Sequence, residues 1–229
     1  MGKYRKNRRP IKDELMAVYN KLYQSFGPRN WWPADSPFEV IVGAVLTQNT
    51  SWKNVEKAIK RLKEENLLSL TAIYRVDVSY LAETIRSSGF YKLKAKRLKN
   101  LIEFIFKNFG GEIEGLTAER MGTLREKLLN VNGIGPETAD SIMLYALEKP
   151  IFVVDAYTRR ILSRHDLISE NASYSEIQQL FIDNLPQNAR LYNEYHALIV
   201  YLGNTICKKR PLCDRCPLNT NMTYGHNRP

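Results

Sequence analysis

The sequence predicts an all-α protein, and three observations carry that expectation. Apolar residues recur at helical spacing, as Ile11, Leu15, Val18, Leu22 and Phe26 do. The segment 37–48 is apolar nearly all round, as a helix at the centre of a bundle is. Gly27-Pro28, Gly110-Gly111 and the glycines at 133 and 135 punctuate the helical patterns.

Taken in order, the first helix spans 11–26 and stops at Gly27-Pro28. After the central segment 37–48, further helices are expected near 53–66, 77–87, 92–108, 118–130 and 136–148. Residues 151–154 are β-branched and aromatic, but four residues with no partner run do not make a strand. Asp155 precedes another helical pattern, YTRRILSR. Ser173 and Glu176 form a capping box for a helix to Leu185, which Pro186 ends. A long last helix runs from Ala189 to about Thr205.

With 229 residues, 44% of them hydrophobic, the chain has ample material for one large core or two small ones. No apolar run reaches membrane-spanning length, and the opening residues carry no apolar signal core. A cytoplasmic, nucleoid-associated protein with no membrane partner is expected. The net charge of +10 suits a polyanionic partner, although many basic proteins never bind nucleic acid. The opening MGKYRKNRRP reads as a solvated basic tail, at most a non-specific phosphate contact. Three cysteines clustered at one end do not make a disulfide framework and look like metal ligands in a reducing compartment.

The most informative stretch is LREKLLNVNGIGPETADSIMLYALEKPIFVVDAYTRR, residues 124–160. Two helical patterns flank the turn Asn132-Gly133-Ile134-Gly135, and Pro136 occupies a favoured first helical position. Glycines there let backbone N–H groups approach an anion beside a positive helix end, so phosphate is the natural occupant. An ordinary glycine-turn αα-hairpin is the alternative that the turn alone favours. Beyond it, an apolar run delivers one carboxylate, Asp155.

Hairpin and carboxylate together resemble the helix-hairpin-helix/Gly-Pro-Asp superfamily of DNA glycosylases, the endonuclease III relatives. SPFEVIVGAVLTQNTSWKNVEKAI (36–59) looks like its buried helix and Gln-bearing loop, and SSGFYKLKAKRLKNL (87–101) like its Gly-aromatic-Lys-Ala segment. Cys207, Cys213 and Cys216 echo its iron–sulfur loop, and the blocks follow the family's order over nearly the whole chain. The resemblance implies two helical domains with a DNA-binding cleft between them. One spans 30–148 and holds the helix-hairpin-helix; the other combines 1–29 with 149–229.

Base excision breaks an N-glycosidic bond through an oxocarbenium-like transition state, which a carboxylate beside the sugar stabilises while it orients or deprotonates water. Asp155 is the candidate, and an N-cap role for the following helix is compatible with it. Bifunctional relatives carry a lysine at the hairpin whose amine attacks C1′. Glu137 stands in that slot, where an acidic residue also complements the helix dipole. The expectation is a monofunctional enzyme that uses water and needs no cofactor for the chemistry. Lys149 and the lysines of 92–99 are the other amines considered.

The three tryptophans lie in Trp31-Trp32-Pro33 and at Trp52. This pattern looks like the 3-methyladenine glycosylase branch, in which the equivalents of Trp31 and Trp52 sandwich an alkylated purine and a glutamate stands at the position of Glu137. A cationic methylated base stacks well on indole faces. Trp32 reads better as core packing, with Pro33 beside it at the base pocket. By resemblance, Gln48, next to Asn49, projects into the space left by the flipped nucleotide, and Phe90 or Tyr91 fills the broken stack. The turn residues Gly133, Ile134 and Gly135, with Lys208 and Lys209, are the backbone contacts. Lys94, Lys96, Arg97 and Lys99 include phosphate contacts or form a solvated helix face.

Cys207-x5-Cys213-x2-Cys216 is one residue short in its first gap, and Met222 stands where a fourth cysteine is expected. A [4Fe–4S] cluster with a non-cysteine ligand, a zinc site completed by His226, and a metal-free relic all remain open. The implied partners are double-stranded DNA containing damaged bases and a downstream abasic-site endonuclease, with the protein acting as a monomer. Three other readings stay open: a glycosylase for a mismatched or deaminated base, a glycosylase/lyase, and a non-catalytic DNA-binding module. Loss of turnover with retained binding in Asp155→Asn separates enzyme from binder.

Overall fold

The computed structural model describes residues 10–219, and every regular element among them is helical. The described residues divide into two compact units, Trp32–Lys149 and the remainder on either side of it. The outer unit holds α1 (Ile11–Phe26), α10 (Ala156–Arg164), α11 (Tyr174–Asn184) and α12 (Ala189–Thr205). The inner unit holds α2 (Pro37–Leu46), α3 (Trp52–Glu64), α4 (Leu70–Arg75), α5 (Val78–Thr84) and α6 (Tyr91–Phe109), followed by α7 (Ile113–Ala118), α8 (Met121–Leu129) and α9 (Pro136–Ser141).

The inner unit is built around α2. Ser36 caps it by accepting the Glu39 N–H, and Pro37 supplies a pre-set first position. Every residue from Phe38 to Leu46 is buried, against α3, α6 and α9. Each fully buried Leu, Ile or Val there contributes about 1.5–3 kcal/mol. The one carboxylate in the run, Glu39, is satisfied by the Asp35 N–H at 3.1 Å and the Lys63 ammonium at 2.9 Å.

The helix ends two residues earlier than its apolar pattern suggests. The Thr47 hydroxyl turns back onto the carbonyls of Gly43 and Ala44, leaving Gln48 and Asn49 in the following turn. Two six-residue helices, α4 and α7, have no counterpart in the periodicity. The expected helix at 77–87 resolves into α5 and a 3₁₀ turn, Arg86–Ser88. The expected helix at 136–148 is α9 followed by a π-helical turn, Ile142–Ala146, all five of whose residues are buried.

In the outer unit α12 packs on α1 and α10, and α1 on α11. The buried Tyr195 hydroxyl donates to Leu15 O at 2.8 Å, and Gly203 leaves the space that the Tyr157 ring occupies. The segment 151–154 is buried yet forms no strand, so its backbone finds side-chain partners. Gln178 Nε2 donates to Phe152 O at 2.6 Å, and the Tyr174 hydroxyl accepts the Val154 N–H at 3.4 Å. Phe152 stacks on Phe181 with ring centroids 3.6 Å apart. This anchoring fixes the direction in which the chain delivers Asp155. No helix of the described residues is long and apolar enough to cross a membrane.

Candidate active site and hairpin

Asp155 is the N-cap of α10. Its Oδ1 accepts the Thr158 N–H at 2.7 Å and the Thr158 hydroxyl at 2.8 Å. The carboxylate therefore sits against the positive end of α10 with one oxygen immobilised. Its Oδ2 lies 3.7 Å from Nε2 of His196, and only 11% of the Asp155 side chain is exposed.

The hairpin joins α8 to α9. Gly133 has φ +93°, a conformation that favours glycine, and a Cβ there would lie 2.2 Å from Cγ of Arg97. Ile134 is 4% exposed and its N–H closes the turn onto Val131 O, so its side chain anchors the hairpin in the core. Gly135 is the N-cap of α9, with no atom within 4 Å of an added Cβ. Arg125 grips the buried carboxylate of Asp140 with two bonds, at 2.7 and 3.0 Å, clamping α8 to α9. Glu137 lies exposed in the first turn of α9.

Gln48 is tied to this hairpin. Its Nε2 donates to Gly133 O and to the Thr138 hydroxyl, and its Oε1 accepts from Arg97. Asn49 beside it is exposed and left-handed, φ +54°, a conformation asparagine tolerates. Phe90 also has positive φ, +46°, and its ring is 67% exposed. A bulky side chain held in that conformation and left in solvent is the kind of strain found at functional sites. Tyr91 opens α6, with the Arg86 guanidinium 5.6 Å from its ring centre.

Trp32 meets Trp52 edge-on, ring centres 5.2 Å apart at 87°, and Gly43 gives the Trp32 indole room to lie on α2. Trp32, Trp52 and exposed Pro33 share a cavity of about 290 Å³ with Glu39 and Lys63. Trp31 is half-buried and belongs to the other unit.

Three of the alternative amines are held by backbone carbonyls. Lys149 Nζ donates to Thr117 O and Glu119 O, Lys99 Nζ to Ile73 O, Tyr74 O and Val76 O, and buried Lys94 to Leu46 O and Ser88 O.

In the C-terminal loop Cys207 is buried, Cys216 half-buried and Cys213 exposed. Burial, with Cys207 and Cys213 nearby, raises the pKa of the Cys216 thiol. Arg164 approaches Cys207 Sγ at 3.4 Å and donates to Lys208 O and Lys209 O, while Arg160 takes Cys207 O. The loop is thus organised by two arginines, with the Lys208 and Lys209 side chains in solvent. No group of three or more His, Cys, Asp or Glu among the described residues is arranged to hold a metal. Among the described residues the loop supplies three thiols, one of them contacted by a guanidinium. Met222, His226 and the tail MGKYRKNRR lie outside the described residues.

No sequence motif singles out the Arg125–Asp140 clamp or His196, and the basic run that holds Lys94 and Arg97 gives no sign of the partners these two side chains take in Leu46 O and Gln48.

A family model described as "HhH-GPD superfamily base excision DNA repair protein" matches residues 42–187. A Methanocaldococcus jannaschii protein, provisionally named a DNA repair glycosylase, is 53% identical over 205 residues, 89% of this chain and 93% of that one. Among solved structures, H. pylori 3-methyladenine DNA glycosylase (MagIII) bound to 1,N6-ethenoadenine superposes with a TM-score of 0.73 at 34% identity, covering 85% of this chain and 97% of that one. A non-covalent endonuclease III–DNA complex gives a TM-score of 0.78 at 24% identity over 90% and 92% of the chains, a likeness of fold alone. The chain belongs to the HhH-GPD superfamily of base excision DNA repair proteins and is a DNA N-glycosylase.

Proposed function

We propose that the protein removes alkylated purines, 3-methyladenine among them, from duplex DNA by hydrolysis and leaves an intact abasic site. The hydrolytic part is carried by the fixed carboxylate of Asp155, and by the presence of a carboxylate, Glu137, at the hairpin position where lyases carry an amine. In this reading the C1′–N bond breaks with its electron pair passing to the base. A cationic alkylated purine thereby departs neutral. Asp155 stabilises the positive sugar and takes a proton as water adds to C1′.

The purine preference is supported by the indoles of Trp52 and Trp32 beside Pro33, and by the likeness to an enzyme named for 3-methyladenine and bound to 1,N6-ethenoadenine. Trp52 offers the stacking face and Trp32 braces it; Trp31 is the second aromatic proposed for the base. Gly133, Gly135, Asn49, Lys208 and Lys209 are the proposed DNA-backbone contacts, and Phe90 the wedge. A separate abasic-site endonuclease would then process the product.

The test is base release from duplex DNA carrying 3-methyladenine, read before and after alkali, with Asp155→Asn alongside. Free 3-methyladenine, strand breaks appearing after alkali, and no release by the variant are expected. Strand breaks without alkali would overturn the hydrolytic reading, and absence of release would overturn the substrate.

A further inference from the structure

His196 on α12 is the second titratable group at Asp155. Its side chain is 8% exposed, and the Phe152 ring stands edge-on to the imidazole with centres 6.4 Å apart. Nε2 faces Asp155 Oδ2 at 3.7 Å, slightly beyond hydrogen-bond length, while Asp155 Oδ1 is held by Thr158. The carboxylate thus has one oxygen fixed by its own helix and the other turned toward a buried imidazole.

Burial lowers the imidazole pKa from its ordinary value of 6.5, and the Asp155 carboxylate partly opposes that shift. At neutral pH the ring is therefore uncharged, with one N–H and one lone pair. A lone pair on Nε2 would face a carboxylate oxygen and repel it, so the proton belongs on Nε2 and the lone pair on Nδ1.

We infer that His196 is a positioning residue for the glycosylase reaction: its neutral Nε2–H directs Oδ2 of Asp155 and sets the plane of the carboxylate. The inference rests on Asp155 being the carboxylate that serves the sugar. Neutrality is what makes the arrangement useful. An imidazolium would form an ion pair and draw the aspartate's charge away from the oxocarbenium, whereas a neutral N–H aims the carboxylate without cancelling it. Thr158 alone fixes one oxygen and leaves rotation about that anchor; the imidazole standing 3.7 Å from Oδ2 is placed to limit it by a short approach of the two groups.

The first test needs no substrate. Long-range ¹H–¹⁵N spectra of the full chain resolve the three histidines, His196 being identified by its loss in His196→Gln. A pyrrole-type Nε2 with a pyridine-type Nδ1 at neutral pH is expected, with a His196 pKa that falls further in Asp155→Asn. A pyridine-type Nε2, or a pKa indifferent to that substitution, overturns the inference.

The second test is single-turnover base release from methylated duplex DNA, beside affinity for a duplex with an abasic-site analogue. His196→Leu is expected to slow release about 10- to 100-fold with affinity kept within about twofold. His196→Gln, whose amide N–H reaches the ε position, should recover most of the rate, which a merely structural role would not produce. A His196→Leu rate within about twofold of the parent, with Asp155→Asn inactive, overturns the inference and leaves the Asp155 reading intact. Full turnover by Asp155→Asn overturns both.

Discussion

The guanidinium of Arg97 lies 2.5 Å from Oε1 of Gln48, and the amide nitrogen of the same Gln48 holds Gly133 O at 3.1 Å and the Thr138 hydroxyl at 2.9 Å. One carboxamide thus joins the turn after α2, the face of α6 and both sides of the hairpin. Any contact that Gln48 makes with DNA therefore draws on a side chain that already organises the hairpin turn.

Gln48→Ala is accordingly expected to destabilise the protein as well as weaken DNA binding. Loss of these part-buried bonds costs about 1–3 kcal/mol, a drop in Tm of about 2–12 °C for a chain of this size. Asn49→Gly, at the exposed neighbouring position where glycine accepts the same positive φ, should leave Tm nearly unchanged. Equal melting of Gln48→Ala and the parent would show that Gln48 serves DNA alone.

The two hairpin glycines should respond differently to alanine. At Gly133 a Cβ meets both a positive φ and the Arg97 side chain, 2.2 Å away, whereas Gly135 has an extended backbone and open space around it. Gly133→Ala is expected to cost at least about 2 kcal/mol and Gly135→Ala below about 1 kcal/mol. Adding Arg97→Ala to Gly133→Ala should recover part of the loss, since it removes the clash and leaves the backbone strain. Urea denaturation of these three variants, and of Arg97→Ala alone, measures all of these terms.

The contrast between Gln48 and Arg97 also explains what was legible in the sequence. Elements that repeat a local rule many times are readable: α1 and α6 by spacing, α2 by an apolar surface all round, α11 by its Ser173–Glu176 capping box, which forms with both bonds. The helices α4 and α7, six residues each, are too short for a period to register, although Ser69 caps α4. Asp155 and the Gly133 turn stand out because their chemistry is concentrated in adjacent residues. Arg97 sits in a basic run that reads equally well as a solvated face, and His196 is one polar residue in a long helix. Their roles come from Gln48 and Asp155, and nothing within a helical turn of either announces the partner.

Lys94 makes stability depend on pH. Its ammonium is 1% exposed between Leu46 O and Ser88 O, and burial, with Arg97 nearby, pushes its pKa down to about 8 from 10.5. Between pH 8 and 10.5 the unfolded chain carries a proton at this site that the folded chain lacks, so this group's contribution to stability rises with pH across that window and is least below pH 8. A neutral amine still donates to both carbonyls, so deprotonation relieves a buried charge without breaking the link between α2 and the turn before Phe90. Urea unfolding from pH 7 to 10 should show this rise in the parent relative to Lys94→Met, which should also be less stable at every pH. Parallel profiles for the two proteins would assign any slope to other groups.

Glu137 supplies the most direct check on the reaction type. A carboxylate cannot form an imine, and Lys94, Lys99 and Lys149 each direct their amines onto backbone carbonyls. Borohydride reduction with an abasic duplex should therefore trap no covalent complex with the parent protein. Glu137→Lys returns an amine to an exposed position in the first turn of α9 and should yield a trapped complex and strand nicking on abasic DNA. A trapped complex with the parent would mean that a lysine outside the hairpin attacks C1′, and its loss in Lys94→Met, Lys99→Ala or Lys149→Ala would identify the amine. Failure of Glu137→Lys to trap, with DNA affinity intact, would instead mean that position 137 does not reach the sugar, and the hydrolytic reading would then stand on Asp155 alone.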